Sequence, residues 1–420
     1  MPTYLIYFIH RYLDFRHPEL DAVLELNGIV DVSTCYELPE TAPKNTTHSP
    51  FLIVNLASDA VAQQLAARCV LIKGIYQYIT HTQASSEDSS ASYADLRRKI
   101  ASLPWDLRKN AMLDDESTWS LQVDCFGKRL SLQEQNTRRD EITEAVPLCG
   151  DIHLKQPART YWLLEEKGIL PSEVTLKRIF FAKSLNIIRF HGRDFVDKHQ
   201  IKKRKFIGPT TMDHELSLIM ANIAKVGPGT IACDPFVGTA SVLVASAQFG
   251  AMCVGGDIEM QGLYRKENST IAHNFEQYDL PCPDFIQWDL SQQAMCPRPF
   301  LDAIVCDPPY GLRAGARKCS ANPKKKPFEV YEPSHVLTDL LHWAALRLVL
   351  QGRLVYVLAC KTDPNNEYDD QIPRHPSLKV LHVCVQNITQ KLVRLFITMV
   401  KVKEVASNDV STAATLDVGW

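Results

Sequence analysis

Apolar residues in the first 80 positions fall into short runs separated by polar, turn-forming stretches. Residues 4–9 read as a strand. Residues 18–26 read as a helix with Pro18 in its first turn and Gly28 just past its end. Residues 51–56 predict a second strand, followed by a helix to about Arg68 that Ser58 or Asp59 can cap, and residues 71–79 predict a third strand. This β-α-β-β-α-β-like order predicts a small ferredoxin-like α+β unit. The polar, low-complexity run 83–92 predicts a flexible loop. Beyond it, apolar segments at 119–126, 154–164 and 179–182 predict a second α+β region. No catalytic motif stands before residue 200.

From about Phe206 the pattern becomes a strict alternation of strand and helix. Helices are predicted over 212–224, 239–249, 264–278 and 333–350. Strands are predicted over 230–233, 252–256, 302–306 and 354–359, with 380–385 and 392–400 as a closing pair. Such alternation predicts a mostly parallel, Rossmann-like α/β sheet covered on both faces. The small polar tail after about Lys403 predicts disorder. The boundaries drawn are 1–82 for a first α+β domain, 83–190 for a second, 191–207 for a basic linker, 208–403 for the α/β domain and 404–420 for the tail.

Composition adds limits. At 420 residues, 45% hydrophobic and 22% charged, the chain can build two or three cores. No apolar run approaches the ~20 residues of a membrane helix; residues 340–350 contain His342 and Arg347. The twelve cysteines include no C-x-x-C pair, so neither a zinc ribbon nor a redox motif is suggested. A net charge of −2 neither supports nor excludes nucleic acid. Local basic patches would have to make any such contact. Lys198 with Lys202, Lys203, Arg204 and Lys205 forms one, readable as a solvated linker or as a phosphate-contacting hinge.

In an open α/β sheet, ligands bind outside the carboxyl ends of the strands, and acidic residues fall at such ends here. Asp234 opens Asp234-Pro235-Phe236-Val237-Gly238-Thr239, a strand running into a glycine turn and a helix. The phosphate-cradling G-x-G-x-x-G is missing. A carboxylate there suits a cationic ligand, such as the amino group and sulfonium of S-adenosylmethionine (SAM). Asp257, 23 residues further on and followed by Ile258, is placed to accept from ribose hydroxyls, though capping the next helix would explain it too. Asp289, followed by Leu290, can accept from an adenine amine. Asp307-Pro308-Pro309-Tyr310 then forms a proline-stiffened corner after a buried strand. The exocyclic amine of a nucleobase is a poor nucleophile because its lone pair is delocalised into the ring. Asp307 and the Pro308 carbonyl can draw its hydrogens out of the ring plane. The two prolines fix the backbone, and Tyr310 can stack on a base extracted from its helix. The basic stretch that follows, with Arg313, Arg317 and Lys318, predicts either a mobile phosphate clamp or a solvated loop.

On Lys203 to Asp213, Leu216 to Asn222, Asp234 to Thr239 and Asp307 to Gly311, the sequence resembles the catalytic subunit of the eukaryotic tRNA (guanine-10-N(2))-methyltransferases, a THUMP-domain class I SAM-dependent family. The resemblance implies a ferredoxin-like plus THUMP half that grips tRNA, methylation of the 2-amino group of guanosine ten, and a cytoplasmic enzyme. It implies that Asp234, Phe236, Gly238 and Asp257 line the SAM pocket, that Gly208, Pro209 and Thr210 fold over it, and that Asp307 to Tyr310 are catalytic. It also implies a heterodimer with a small zinc-binding activator seated on an exposed apolar sheet edge. Ala240 stands where many relatives have glycine, and Thr211 where serine is commoner. The same corner would serve an amine methyltransferase acting on another RNA or on DNA adenine, and a non-catalytic RNA-binding subunit is a reading of another class. An NAD-dependent oxidoreductase would share the fold and Asp257 but needs the missing glycine loop.

Overall fold

The structure is a computed structural model that describes residues 1–36, 49–84, 89–143, 146, 148–168, 175–185, 194–208, 211–259, 270–292, 298–309, 315–320, 327–365 and 367–405. The chain divides into two compact units. One comprises Met1–Leu13 and Asn27–Arg193, the other Asp14–Leu26 and Asp194–Trp420.

The first unit is built on β1 (Thr3–Phe8), β2 (Phe51–Asn55), β3 (Ile72–Gln83), β4 (Trp119–Phe126), β5 (Arg159–Lys167) and β6 (Leu176–Ser184). They form one six-stranded sheet in the order β2-β1-β3-β6-β5-β4, antiparallel except for the parallel pair β4–β5. Strands from residues 1–82 and 83–190, expected in separate domains, therefore share one sheet. The expected loop at 83–92 is also corrected. β3 runs to Gln83, and a helix spans Ser89–Ala101, burying Tyr93, Leu96 and Ile100 at helical spacing; residues 85–88 lie outside the described residues. A second helix, Leu132–Thr143, buries only Ile142. Polar ties hold it instead: Arg138 Nε donates to the fully buried Glu165 at 2.6 Å and Arg139 Nε to the Leu121 carbonyl at 2.9 Å.

The second unit carries β7 (Ile231–Asp234), β8 (Met252–Asp257), β9 (Asp284–Gln287), β10 (Leu301–Cys306), β11 (Arg317–Cys319), β12 (Phe328–Val330), β13 (Leu348–Lys361), β14 (Leu378–Thr389) and β15 (Leu392–Lys401). Seven of them form a sheet in the order β14-β15-β13-β10-β7-β8-β9. β15 runs antiparallel to both neighbours and the other pairings are parallel. β11 and β12 make a separate hairpin. β7, β8 and β9 step outward in one direction, and β10 returns to the other side of β7. The crevice between the ends of β7 and β10 is thus the topological switch point, where doubly wound sheets bind ligands. Residues 348–350, expected to end a helix, belong to β13; the helix stops at Arg347.

The helix His214–Ile223 is capped by Asp213, whose Oδ1 accepts from the Glu215 and Leu216 amides. It is buried on all sides, Glu215 through Ile223 included. A helix so buried needs cover on its outer face, and the helix Arg16–Leu26 supplies part of it. Asn222 Nδ2 donates to Glu19 Oε1 at 2.7 Å, and Glu25 pairs with Lys225 and Arg353. Phe15, just ahead of that helix, packs edge-on against Phe396. Residues 14–26, read from the sequence as part of the first domain, are thus structural members of the α/β unit.

Candidate active site

A cavity of about 590 Å³ opens at the switch point. Asp234, Pro235, Phe236, Gly238 and Thr239 line it from the β7 turn. Asp257 and Ile258 line it from the end of β8, Trp288, Asp289 and Leu290 from beyond β9, and Asp307, Pro308 and Pro309 from the end of β10. Four segments far apart in sequence thus bring their predicted residues to one space. Gly208 is not on the wall. Its amide donates to Thr211 Oγ1 at 2.8 Å, and a Cβ there would meet the Thr239 methyl at 2.8 Å, so it backs the turn while Thr211 and Met212 reach the cavity. Pro209, Thr210, Tyr310, Arg313 and Lys324 to Lys326 lie outside the described residues, as do most of the tail and the start of the helix expected over 264–278.

The turn after β7 is set by short-range bonds. The Phe236 amide donates to Asp234 Oδ1 at 3.0 Å, Val237 N to the Gly256 carbonyl at 2.8 Å, and Gly238 N to Asp257 Oδ2 at 3.0 Å. Gly238 and Ala240 both have left-handed backbone, φ +46° and +58°. Ala240 holds a conformation that disfavours any side chain, which glycine would adopt without that cost. Gly256 is required for a different cause. A Cβ there would stand 2.1 Å from Trp288 Cε2, so the indole lies flat on β8 and floors the cavity.

The wall is strongly acidic. Asp234 is 2% exposed; burial holds its carboxyl well above the usual carboxylate range, and the Asp257 and Asp307 carboxylates push in the same direction. Burial raises Asp257 too, against the amides of Glu259 and Gly238 that bond its charged form. A buried carboxyl near two others, with no basic side chain bonded to it among the described residues, holds its proton more tightly than an exposed one. Asp289 has two jobs. Its Oδ1 accepts from the Ser291 amide and hydroxyl, and its Oδ2 accepts from the Cys319 amide at 2.6 Å, tying the β11–β12 hairpin to the cavity. In the same hairpin Lys318 pairs with Glu329 at 3.3 Å, while Arg317 pairs out of it with Glu259, just past β8. Both charges are therefore already engaged. Phe236 packs against Ala316, Tyr331 and Val336.

The basic run needs one correction. Lys202, Lys203 and Lys205 are exposed, but Arg204 is 7% exposed and its Nη1 donates to Ser241 Oγ at 2.8 Å, at the start of the helix Ser241–Gln248. It is excluded from solvent and cannot offer its charge to RNA. The linker is zipped onto the helix Ile271–Gln277. Asn274 exchanges bonds with the Phe206 amide and carbonyl, and Gln277 with Lys205 N and the Lys203 carbonyl, which turns Arg204 inward. Replacing Lys202, Lys203 and Lys205 together with alanine should weaken tRNA binding and reduce its log–log salt slope by about 2–3. Arg204→Ala should leave that slope alone and cost about 1–3 kcal/mol of stability. Salt titrations and thermal melts of both variants check the split.

Several wall residues escaped the sequence reading: Thr211, Met212, Trp288, Glu259, Tyr331 and Arg394. Trp288 stood next to a predicted residue. Arg394 carried no signal, because it reaches the cavity only through the pairing of β15.

The sheet order, the acidic switch-point cavity and the Asp-Pro-Pro corner define a class I SAM-dependent methyltransferase. The family described as "Tmrp11 THUMP N-terminal domain" matches residues 2–186, and "RMKL-like, methyltransferase domain" matches 202–322. The tRNA (guanine(10)-N(2))-methyltransferase TRMT11 of Bos taurus is 33% identical over 97% of this chain and 89% of its own length, and that of Gallus gallus 34% identical over 97% and 90%. The chain belongs to this TRMT11 family. Among solved structures, TrmN from Thermus thermophilus aligns over 95% of this chain and 100% of its own at 17% identity, with a TM-score of 0.46.

Proposed function

We propose that this chain methylates the exocyclic 2-amino group of a guanosine in tRNA, at position ten, to give N(2)-methylguanosine. The observation that carries the chemistry is Asp307 on the wall of the same cavity as Asp234 and Asp257. The donor set fits SAM: a buried carboxylate with raised proton affinity for the cationic end, a second for the ribose hydroxyls, and a tryptophan floor. SAM supplies an electrophilic methyl group on a sulfonium sulfur.

The chain's residues do the rest. Asp234 holds the cationic methionine end, with Phe236, Gly238 and Thr239 shaping the turn around it. Asp257 takes the ribose, and Asp289 with Ile258 and Leu290 flanks the adenine. The Asp307 carboxylate and the Pro308 carbonyl each accept one hydrogen of the guanine amine, which turns its lone pair out of conjugation. Asp307 then takes the proton that the alkylated nitrogen releases. Pro308 and Pro309 keep the acceptors aimed, and Tyr310 stacks on the base. Geometric alignment of amine and methyl supplies much of the acceleration.

In this reading the unit holding the six-stranded sheet, with its THUMP region, grips tRNA, and Lys202, Lys203 and Lys205 contact its backbone. A small zinc-binding activator would seat on a sheet edge. The β9 edge, where Ile286 is 42% exposed, offers apolar surface for it. The cytoplasm is the compartment assigned; no helix among the described residues is long and apolar enough to cross a membrane. The test is methylation of unmodified tRNA with labelled SAM, with and without the activator, followed by nucleoside analysis. Label in N(2)-methylguanosine is expected. Label in methyladenosine, or none under either condition, would overturn the assignment.

A further inference from the structure

We propose that Arg394 is the residue that selects guanine, its guanidinium reading the O6 and N7 acceptors of the base whose amine faces Asp307. The inference rests on the guanosine-directed reading above and deepens it.

Arg394 stands on β15, opposite Ala359 of β13 and Gln386 of β14, and lines the cavity together with Asp307, Pro308 and Pro309. Two contacts fix its side chain. Nε and Nη2 both donate to Gln386 Oε1, at 2.9 and 2.6 Å, and the guanidinium carbon lies 5.7 Å from the Phe396 ring centroid. These contacts occupy one edge of the planar fork. The end that carries Nη1 and the second Nη2 hydrogen keeps its donors for a ligand. Among the described residues Arg394 has no ion-pair partner, whereas the other arginine of the wall, Arg317, is tied to Glu259.

What the fork receives follows from its surroundings. The cavity also carries Asp234, Asp257, Glu259, Asp289 and Asp307. A phosphate drawn in among these carboxylates would meet like charge on several sides. A neutral base would not. Guanine presents two adjacent acceptors, O6 and N7, on the edge away from its amine, and an arginine fork is their bidentate complement. Adenine puts an amino donor beside N7 and leaves the fork half unmatched. Asp307 and Arg394 thus act on opposite edges of one ring, the first choosing the nitrogen to be alkylated and the second the base that carries it.

The test uses full-length protein, with its activator if activity requires one, and tRNA ligated from synthetic halves with guanosine or 7-deazaguanosine at the acceptor position. Wild type should lose roughly 5- to 150-fold in kcat/KM on the 7-deaza substrate, which lacks the N7 acceptor. Arg394→Ala should lose a similar factor on normal tRNA and no longer distinguish the two substrates, with SAM affinity and the salt slope of tRNA binding unchanged. Arg394→Lys keeps a charged donor for O6 or N7 without the planar fork and should recover only part of what alanine loses. Wild type indifferent to the 7-deaza base would overturn the proposal, as would variants that discriminate as wild type does. A lowered salt slope with discrimination retained would mark a phosphate contact and also overturn it. Absence of N(2)-methylguanosine from wild type on ordinary tRNA is a separate result, which defeats the underlying assignment.

Discussion

Asp307→Ala is expected to lower kcat by about 10²- to 10⁴-fold while the SAM dissociation constant stays within a few-fold. The amine of guanine is nucleophilic only when its hydrogens are held away from the ring plane, and Asp307 is the carboxylate that the strand-end corner offers for that task. In the proposed reading its removal also takes away the acceptor of the released proton. SAM, in the same reading, is held from the β7 and β8 side, where Asp234 and Asp257 line the cavity. Asp307→Asn is the informative companion. It keeps an oxygen acceptor and loses the charge, so it should fall between alanine and wild type. Single-turnover rates with SAM affinities measured in parallel decide the matter. Turnover within a few-fold of wild type in Asp307→Ala would remove this residue from the reaction.

The second large effect is expected at Asp234, in two directions at once. Burial raises its carboxyl above the unfolded value. The folded chain therefore binds this proton more readily than the unfolded chain does. The group favours the fold below the usual carboxylate range, and that contribution is lost as pH rises through the folded value. Wherever the carboxyl is ionised, its buried charge is a burden on the ligand-free protein. Asp234→Asn keeps the oxygen that accepts from Phe236 and discards the charge. It should raise the melting temperature of the ligand-free protein, by roughly 2–4 °C for each kcal/mol recovered. The same change should weaken SAM by about 10- to 100-fold, the scale of one charge-assisted hydrogen bond. In wild type, SAM binding should tighten as pH rises through the titration of this carboxyl, with proton release detectable by calorimetry in buffers of different ionisation heat. The asparagine variant should lose most of that pH dependence. A variant that binds SAM as wild type does, or melts lower than wild type, would contradict the assigned role.

How much of this was legible in the linear chain follows from the range of the interactions involved. Asp234, Asp257 and Asp307 could be read because each follows a predicted strand, and strand ends converge in any doubly wound sheet, whereas Asp289, behind Gln287 and Trp288, had no predicted strand ahead of it. Ala240 was marked only by the resemblance; its left-handed backbone was not visible in the linear chain. Arg204 was not legible. A run of four basic residues gives no sign that one of them is turned inward by amides 70 positions away. Arg394 depends on the register of an antiparallel strand, which periodicity leaves open. The helix Leu132–Thr143 has a single buried residue and no apolar stripe to announce it. For Ser89–Ala101 a stripe existed, but three serines among its first four residues masked it.

The helix Arg16–Leu26, lodged in the α/β unit while the chain on either side of it belongs to the other, has a consequence for how the protein is made and how it can evolve. A ribosome delivers this helix nearly 200 residues before the segment His214–Ile223 on which it will rest. Until then, apolar side chains such as Leu20, Val23 and Leu24 must wait without a seat, open to chaperones and to wrong neighbours. For the same reason the unit holding the six-stranded sheet cannot be traded between enzymes as a cassette by recombination at the basic linker, because that cut would carry away a piece of the α/β unit.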